Sequence, residues 1–134
     1  MSVRTMDVFF PGGKRVDTRY AGFTIRTDQS PKNGGEGSAP APYDLFMASM
    51  ATCAGIYVLS FLQERSLATE GAGLTAHFHR DPETHRMSRI EIEIRLPPDF
   101  PAKYRNAIVR AAEQCTVERT IKDPPEFVTK VAAD

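Results

Sequence analysis

Two cysteines are the residues of this chain best suited to covalent chemistry. Cys53 and Cys115 lie 62 positions apart, and the chain contains no Cys-x-x-Cys pair, so the common zinc-ribbon and thioredoxin spacings are absent. Both are expected to point into one core, because Cys53 falls midway along an apolar segment and Cys115 ends an amphipathic one. The residues alone leave two interpretations: small buried apolar side chains, or a peroxide-attacking thiol with a resolving partner.

The second interpretation requires a group that keeps the attacking sulfur ionised. At an ordinary pKa near 8.5, only about 3% of a thiol is ionised at pH 7. Because intrinsic nucleophilicity falls with the pKa, we expect a fixed donor that also stabilises the departing oxygen. Arginine suits both tasks, since it is always charged and carries several fixed N–H donors.

The histidines indicate an alternative chemistry. His77 and His79 lie two positions apart on a predicted strand, so they share a face, and His85 lies in the adjoining turn. Such a pair can bind a transition metal with His85 or a nearby acid as third ligand. Exposed histidine pairs on a solvent-facing strand are the simpler interpretation, and we expect no metal or other cofactor.

The first third of the chain predicts three strands followed by a long loop. Turn-forming residues separate strands at Val8–Phe10, Arg15–Tyr20 and Phe23–Thr27. Residues 28–42 are rich in Gly, Pro, Ser and Asn, and loops of such length are often functional.

A long apolar helix is predicted from about Pro42 to Arg65. Residues 45–63 carry no charge, and 14 of the 18 residues from Leu45 to Leu62 are apolar. That composition reaches the edge of the membrane-spanning range, but small and polar residues dilute it and no Lys or Arg cluster flanks it. We interpret it as a buried central helix. A helix that is apolar on every side needs cover on every side, so we predict a homodimer that shields it.

The rest of the chain predicts a hairpin, a second helix and a last strand. Residues 74–79 and 89–96 alternate apolar and polar side chains on either side of a turn at residues 81–84. An apolar stripe follows from about Pro101 to Cys115, then a short segment, Thr116 to Lys122, and a strand from Phe127 to Val131. The order βββ–α–ββ–α–β predicts an α+β fold with antiparallel sheet, in a single domain over residues 1–134.

Composition excludes several classes of function. Lys plus Arg and Asp plus Glu both total 17, so the formal net charge is zero. This balance argues against nucleic-acid binding and against a polybasic membrane surface. Residues 1–10 contain no apolar run long enough for a signal peptide, so we expect a cytoplasmic protein.

Two segments resemble the signatures of the OsmC/Ohr family of thiol-dependent peroxidases. They are GGEG at residues 34–37 with PAPYDLFMASMATC at residues 40–53, and CTVERT at residues 115–120. The resemblance implies the OsmC-like fold, in an intertwined homodimer that reduces organic hydroperoxides or hydrogen peroxide. It implies that Cys53 forms a sulfenic acid, that Cys115 closes a disulfide with it, and that an external dithiol resets the pair.

The resemblance also implies supporting residues. Arg26 occupies the place where such proteins can carry the activating arginine, and Arg15 and Arg19 are alternatives. Family members place a glutamate directly after the helix-initiating proline, but this chain has Tyr43 there, followed by Asp44. Glu36 in the preceding loop is a candidate substitute.

Two further expectations concern the surroundings of the thiols. Glu118 would raise the pKa of a neighbouring thiol if its negative charge lay close. A second class of function is a non-catalytic module on the same dimeric scaffold that binds a small apolar or thiol-reactive ligand. Its cleft near Cys53 would be lined by Phe46, Met47, Met50 and Tyr57, although such a stripe is most simply core.

Overall fold

The computed structural model describes residues 2–133, which form two compact units. The first unit is Met1–Ala48 and the second is Ser49–Asp134. The α+β class with antiparallel sheets is confirmed, and each unit contains one sheet.

The first unit contains a three-stranded antiparallel sheet in the order β1-β2-β3. The strands are β1 (Asp7–Gly12), β2 (Arg15–Tyr20) and β3 (Phe23–Ile25). The third strand ends two residues earlier than predicted, because Thr27 turns inward. Its hydroxyl donates to the Val16 carbonyl, and its backbone N–H donates to the buried Asp17 carboxylate. The long loop follows, with a short 3₁₀ helix at Pro31–Asn33.

The predicted long helix is confirmed as α1 (Pro42–Glu64). Its first residue is a proline, which suits a first turn whose N–H groups have no intrahelical partner. Asp44 accepts a hydrogen bond from the Ala41 N–H at 2.9 Å and so caps this end.

α1 is less buried within the single chain than the term central helix implies. Its buried side chains are those of Met50, Ala54, Val58, Phe61 and Leu62. Ile56 and Leu59 on the same helix are exposed. By length and composition α1 could cross a membrane, but the core helix of a soluble protein meets the same criteria.

The second unit contains the predicted hairpin, formed by β4 (Gly73–Arg80) and β5 (Met87–Arg95). The strands pair antiparallel, with Ala76 opposite Ile92. Between them the Asp81 carboxylate accepts the backbone N–H groups of Glu83 and Thr84, which closes the turn.

The last third of the chain departs from its prediction in three places. The helix expected over Pro101–Cys115 is a 3₁₀ turn, Ala102–Tyr104, followed by α2 (Arg105–Ala112). The short segment after it is a third helix, α3 (Thr116–Lys122). The strand predicted at Phe127–Val131 is wrong for the single chain: residues 124–133 are exposed and carry no regular structure. A strand needs a paired neighbour, and none of the described strands pairs with this segment.

The core of the second unit lies where α1 meets α2. Val58, Phe61 and Leu62 pack with Ile108 and Ala112. At this contact the Phe61 ring meets the Tyr104 ring edge-on, with centroids 5.9 Å apart. This packing fixes α1 relative to α2. Cys53 lies within α1, and Cys115 follows the end of α2 by three residues.

Candidate active site

The structure brings Cys53 and Cys115 together as free thiols. Cys53 lies half-buried in the middle of α1, and Cys115 is buried directly before α3. The two thiols are near enough for each to shift the pKa of the other. The expectation that both side chains point into one core is therefore confirmed.

The start of α3 directs backbone N–H groups at the two sulfur atoms. The first N–H groups of any helix have no intrahelical partner and must be satisfied by other acceptors. In α3, the N–H groups of Thr116 and Val117 lie near Cys53 and favour its ionised form. The Glu118 N–H donates to the Cys115 sulfur at 3.4 Å, so Cys115 is the N-cap of α3.

The surroundings of the two thiols shift their pKa values in opposite directions. Burial alone would raise the pKa of Cys53, but hydrogen bonds from the Val117 N–H, the Cys115 thiol and the Thr116 N–H outweigh it, so this pKa lies below its ordinary value. Burial raises the pKa of Cys115, and the neighbouring Cys53 charge raises it further. Of the two thiols, Cys53 therefore ionises more readily than Cys115.

Sequence reasoning missed the α3 amides and looked for an arginine instead. The segment is only seven residues long and too polar to show a clear apolar stripe. A usable signal was present in the residues Cys115-Thr116-Val117-Glu118, because a small capping residue followed three positions later by glutamate is typical of a helix start.

The candidate arginines all lie in the first unit. Arg19 stacks over the Phe9 ring, with its guanidinium carbon 4.0 Å from the ring centroid. Arg15 and Arg26 line one cavity of that unit together with the buried Asp17. Cys53 belongs to the second unit, so activation by Arg26 stays a prediction.

The other candidate supporting residues also lie in the first unit. Glu36 is exposed and contributes its backbone N–H to Asp28. The half-exposed Tyr43 ring lies 5.5 Å from that of Phe46, and Asp44 caps α1. Their support of Cys53 stays a prediction as well.

Glu118 is close to a thiol, but its influence differs from the expected one. Its backbone N–H contacts Cys115 and lowers that pKa, opposing the effect of burial. Its carboxylate forms an ion pair with Lys122 at 3.5 Å on the same helix.

An apolar cavity of about 250 Å³ adjoins the thiol pair in the second unit. Cys115 forms part of its wall, and Met50 and Ala54 on either side of Cys53 contribute from α1. The aliphatic face of β5 and the inner face of α2 supply the remaining apolar wall: Ile90, Ile92, Ile94, Leu96, Ile108, Val109 and Ala112. Three charged residues, Arg105, Glu113 and Glu118, also line it. The cavity therefore suits a mainly apolar molecule placed beside the Cys115 sulfur.

The cleft anticipated for a binding module is only partly present. Of its four residues, Met50 lines the apolar cavity. Tyr57 lines a separate hollow, and its hydroxyl is 3.3 Å from that of Thr116. Phe46 and Met47 belong to the first unit.

The histidines pair with glutamates on the exposed face of the hairpin. His77 lies 3.4 Å from Glu93, and His79 lies 3.8 Å from Glu91. Within residues 2–133, no three or more His, Cys, Asp or Glu side chains form a group that could hold a metal ion. Both histidines thus have glutamate partners on this exposed face.

A buried carboxylate in the long loop also escaped sequence reasoning. Asp28 accepts hydrogen bonds from the Gln29 N–H at 2.7 Å, the Glu36 N–H at 3.3 Å, and the N–H and hydroxyl of Ser38 at 3.0 and 2.6 Å. The Ser38 hydroxyl and N–H contribute most to lowering the pKa of this carboxyl to about 2. The Asp28 carboxylate therefore holds together the parts of the long loop that contain Gln29, Glu36 and Ser38.

Comparisons with known proteins agree with this architecture. The OsmC-like protein family matches residues 35–130. No curated protein matches the chain.

Solved structures share the fold at low sequence identity. A Psychrobacter arcticus protein, whose name refers to osmotic stress and detoxification, is 21% identical, with a TM-score of 0.73 and 90% and 89% of the two chains covered. An organic hydroperoxide resistance protein, OsmC, from Legionella pneumophila is 18% identical, with a TM-score of 0.56 over 91% and 90%. An OsmC-like protein from Mycoplasma pneumoniae is 12% identical, with a TM-score of 0.69 over 92% and 89%.

Proposed function

The chain belongs to the OsmC-like protein family, and on that basis we propose that it is a thiol-dependent peroxidase acting on organic hydroperoxides or hydrogen peroxide. Structural relatives named for organic hydroperoxide resistance support a redox role in stress. The observation that carries the proposal is that two free thiols, Cys53 on α1 and Cys115 at the start of α3, lie beside an apolar cavity. The opposite directions of their pKa shifts support it.

In the first step Cys53 is the nucleophile. Its thiolate attacks the terminal oxygen of the hydroperoxide, the O–O bond breaks, and the departing alkoxide takes up a proton to become the alcohol. The sulfur is oxidised to a sulfenic acid and the peroxide is reduced. The α3 amides and the Cys115 thiol favour this step because they stabilise the thiolate before attack.

In the second step Cys115 is the resolving thiol. Its sulfur attacks the Cys53 sulfenic acid, a disulfide forms, and the expelled hydroxide takes the Cys115 proton to leave as water. An external dithiol then reduces this disulfide by exchange and becomes a disulfide itself.

The apolar cavity supports organic hydroperoxides as the better substrates in this proposal. An alkyl or aryl group in the cavity would bury apolar surface at about 25 cal/mol per Å². Hydrogen peroxide has no such group and gains nothing from this wall.

The proposal includes a homodimer in the cytoplasm. Exposed apolar residues on α1 indicate a surface that a second copy of the chain would cover. The proposal also includes Arg26 as the residue that activates Cys53, with Glu36, Tyr43 and Asp44 supporting it.

The test treats the reduced protein with one equivalent of an organic hydroperoxide. We expect the intact mass to fall by two hydrogens, both thiols to disappear, and digestion to yield a Cys53–Cys115 crosslinked peptide. Cys53→Ser should abolish peroxide consumption, whereas the matched Cys115→Ser should accumulate sulfenic or overoxidised Cys53. Consumption that survives in Cys53→Ser would contradict the assigned roles.

The apolar cavity also favours a second candidate, a module that binds a small apolar ligand without turnover. In that case both thiols would stay unreacted after prolonged exposure to peroxide, and an apolar ligand would raise the unfolding temperature. The same mass measurement therefore separates the two functions.

A further inference from the structure

A hydrogen bond between two hydroxyl groups joins α1 to α3 beside the thiol pair. The Tyr57 hydroxyl lies 3.3 Å from the Thr116 hydroxyl. Tyr57 comes four residues after Cys53, so the two side chains project from the same face of α1 on successive turns. The link therefore lies one helical turn from the sulfur.

Thr116 connects the start of α3 with α1. It is the first residue of the helix, and its own N–H and that of Val117 lie near Cys53 and lower the pKa of that thiol. The Thr116 carbonyl accepts the Thr120 hydroxyl at 2.8 Å, which ties this residue into the helix behind it. Any displacement of Thr116 from α1 would carry both N–H groups away from the sulfur.

We propose that Tyr57 is a positioning residue: through Thr116, its hydroxyl holds the start of α3 against α1, so that two backbone N–H groups stay directed at the Cys53 sulfur. The inference rests on the proposed role of Cys53 as the attacking thiolate. Tyr57 acts through Thr116 and needs no contact with the peroxide.

The experiment measures alkylation of Cys53 by iodoacetamide as a function of pH, with mass spectrometry to assign the modified thiol. Removing the hydroxyl in Tyr57→Phe should move the alkylation profile to higher pH. We expect the rate at pH 7 to fall about fivefold, the factor that corresponds to one net hydrogen bond. Thr116→Val removes the same link from the other side and should give the same shift.

Three further variants make the test specific. The double variant Tyr57→Phe/Thr116→Val should shift no further than either single one, because both remove one interaction. Thr116→Ser keeps a hydroxyl and should retain the profile of the unmodified chain. Thr120→Val is the matched control, since it removes a side-chain hydrogen bond of α3 that does not reach α1, and it should leave the profile unchanged.

The outcomes separate this inference from the proposed function. An unchanged profile in Tyr57→Phe, or an equal shift in Thr120→Val, would overturn the role of Tyr57. Alkylation needs no peroxide, so failure of the unmodified chain to consume peroxide would count against the peroxidase alone and leave the alkylation result valid.

Discussion

At the scale of single residues, the two thiols differ because their hydrogen bonds differ. Two backbone N–H groups and a thiol act as donors that lower the pKa of Cys53. Burial and the negative charge of an ionised Cys53 raise the pKa of Cys115. An acceptor surrounded by donors holds its charge, and a buried group next to a like charge stays neutral. The asymmetry assigns attack to one sulfur and resolution to the other.

Removal of the Cys115 thiol should raise the pKa of Cys53. In Cys115→Ala the side-chain donor is lost, so a smaller fraction of Cys53 is ionised at any pH below its pKa, and alkylation of Cys53 should shift to higher pH. Cys115→Ser keeps an O–H donor and should shift less. If Cys115→Ala keeps the alkylation profile of the unmodified chain, the Cys115 side chain does not stabilise the thiolate.

A polar group in the apolar cavity should select against organic substrates. Val109→Asn changes a cavity residue that is half exposed, so the fold should tolerate it. We expect kcat/KM for a bulky aryl hydroperoxide to fall about tenfold, the lower end of what one altered apolar contact contributes to discrimination, with hydrogen peroxide unaffected. Val3→Asn, on an exposed residue outside the cavity, is the control; equal losses with both peroxides would place the substrate elsewhere.

At the scale of elements, the long loop depends on the ionised Asp28. Because hydrogen bonds lower its pKa from 3.8 to about 2, the carboxylate contributes stability that is complete above about pH 4 and is lost as the pH falls toward 2. Hydrogen exchange at the Ser38 amide should accelerate over that interval beyond its intrinsic pH dependence. Asp28→Asn should show the faster exchange already at pH 7, and slow exchange in that variant would argue against the role of the charge.

Two glycines offer opposite tests of local packing. A Cβ on Gly35 would lie 2.0 Å from the Gln29 carbonyl oxygen, closer than any real contact. Gly35→Ala should therefore destabilise the loop by about 1–3 kcal/mol, as overpacking does.

Gly55 lies within α1, where a Cβ would meet Leu74 at an ordinary 3.8 Å, so Gly55→Ala should stabilise the chain by about 0.5–1 kcal/mol. Thermal unfolding checks both, and a stabilised Gly35→Ala would refute the loop geometry.

The elements that sequence could predict are those with a strong local pattern. The alternation in β5 and the uncharged run in α1 each extend over enough residues to define a period. α3 is too short to show a period. Its role depends on its position beside Cys53, which lies more than sixty positions away in the sequence. The segment Phe127–Val131 has the composition of a strand, but pairing decides strand formation, and the single chain supplies no pair.

Some features of the site could likewise be predicted from the sequence, and others could not. The two cysteines and the aliphatic face of β5 follow from residue type and spacing, so a thiol pair and an apolar wall were predictable. The Tyr57–Thr116 link and the N–H groups of α3 were not, because they depend on how two helices meet in space. The role of Asp28 could not be predicted either, because it depends on the fold that places the Ser38 and Glu36 amides around the carboxylate.

At the scale of the whole molecule, apolar side chains remain exposed where a soluble chain would bury them. On α1, Ile56 and Leu59 are 53% and 37% exposed, and in the tail Phe127, Val128 and Val131 are 85%, 73% and 94% exposed. Large apolar side chains exposed in such numbers indicate an interaction site. A second copy of the chain would cover α1 and supply a pairing partner for the tail.

We therefore expect the chain to sediment as a dimer, at twice its mass of 14.9 kDa. Ile56→Glu would bury an unpaired charge in that interface at a cost of about 3 kcal/mol or more, which weakens association at least about a hundredfold. Sedimentation velocity over a dilution series measures this, with Val3→Glu as the matched control on an exposed residue outside α1 and the tail. If the unmodified chain sediments as a monomer, or if both variants stay dimeric, α1 does not form the interface. If Ile56→Glu is monomeric and also loses peroxide consumption, while its Cys53 alkylation profile is unchanged, the dimer completes the peroxidase site without setting the state of the thiol.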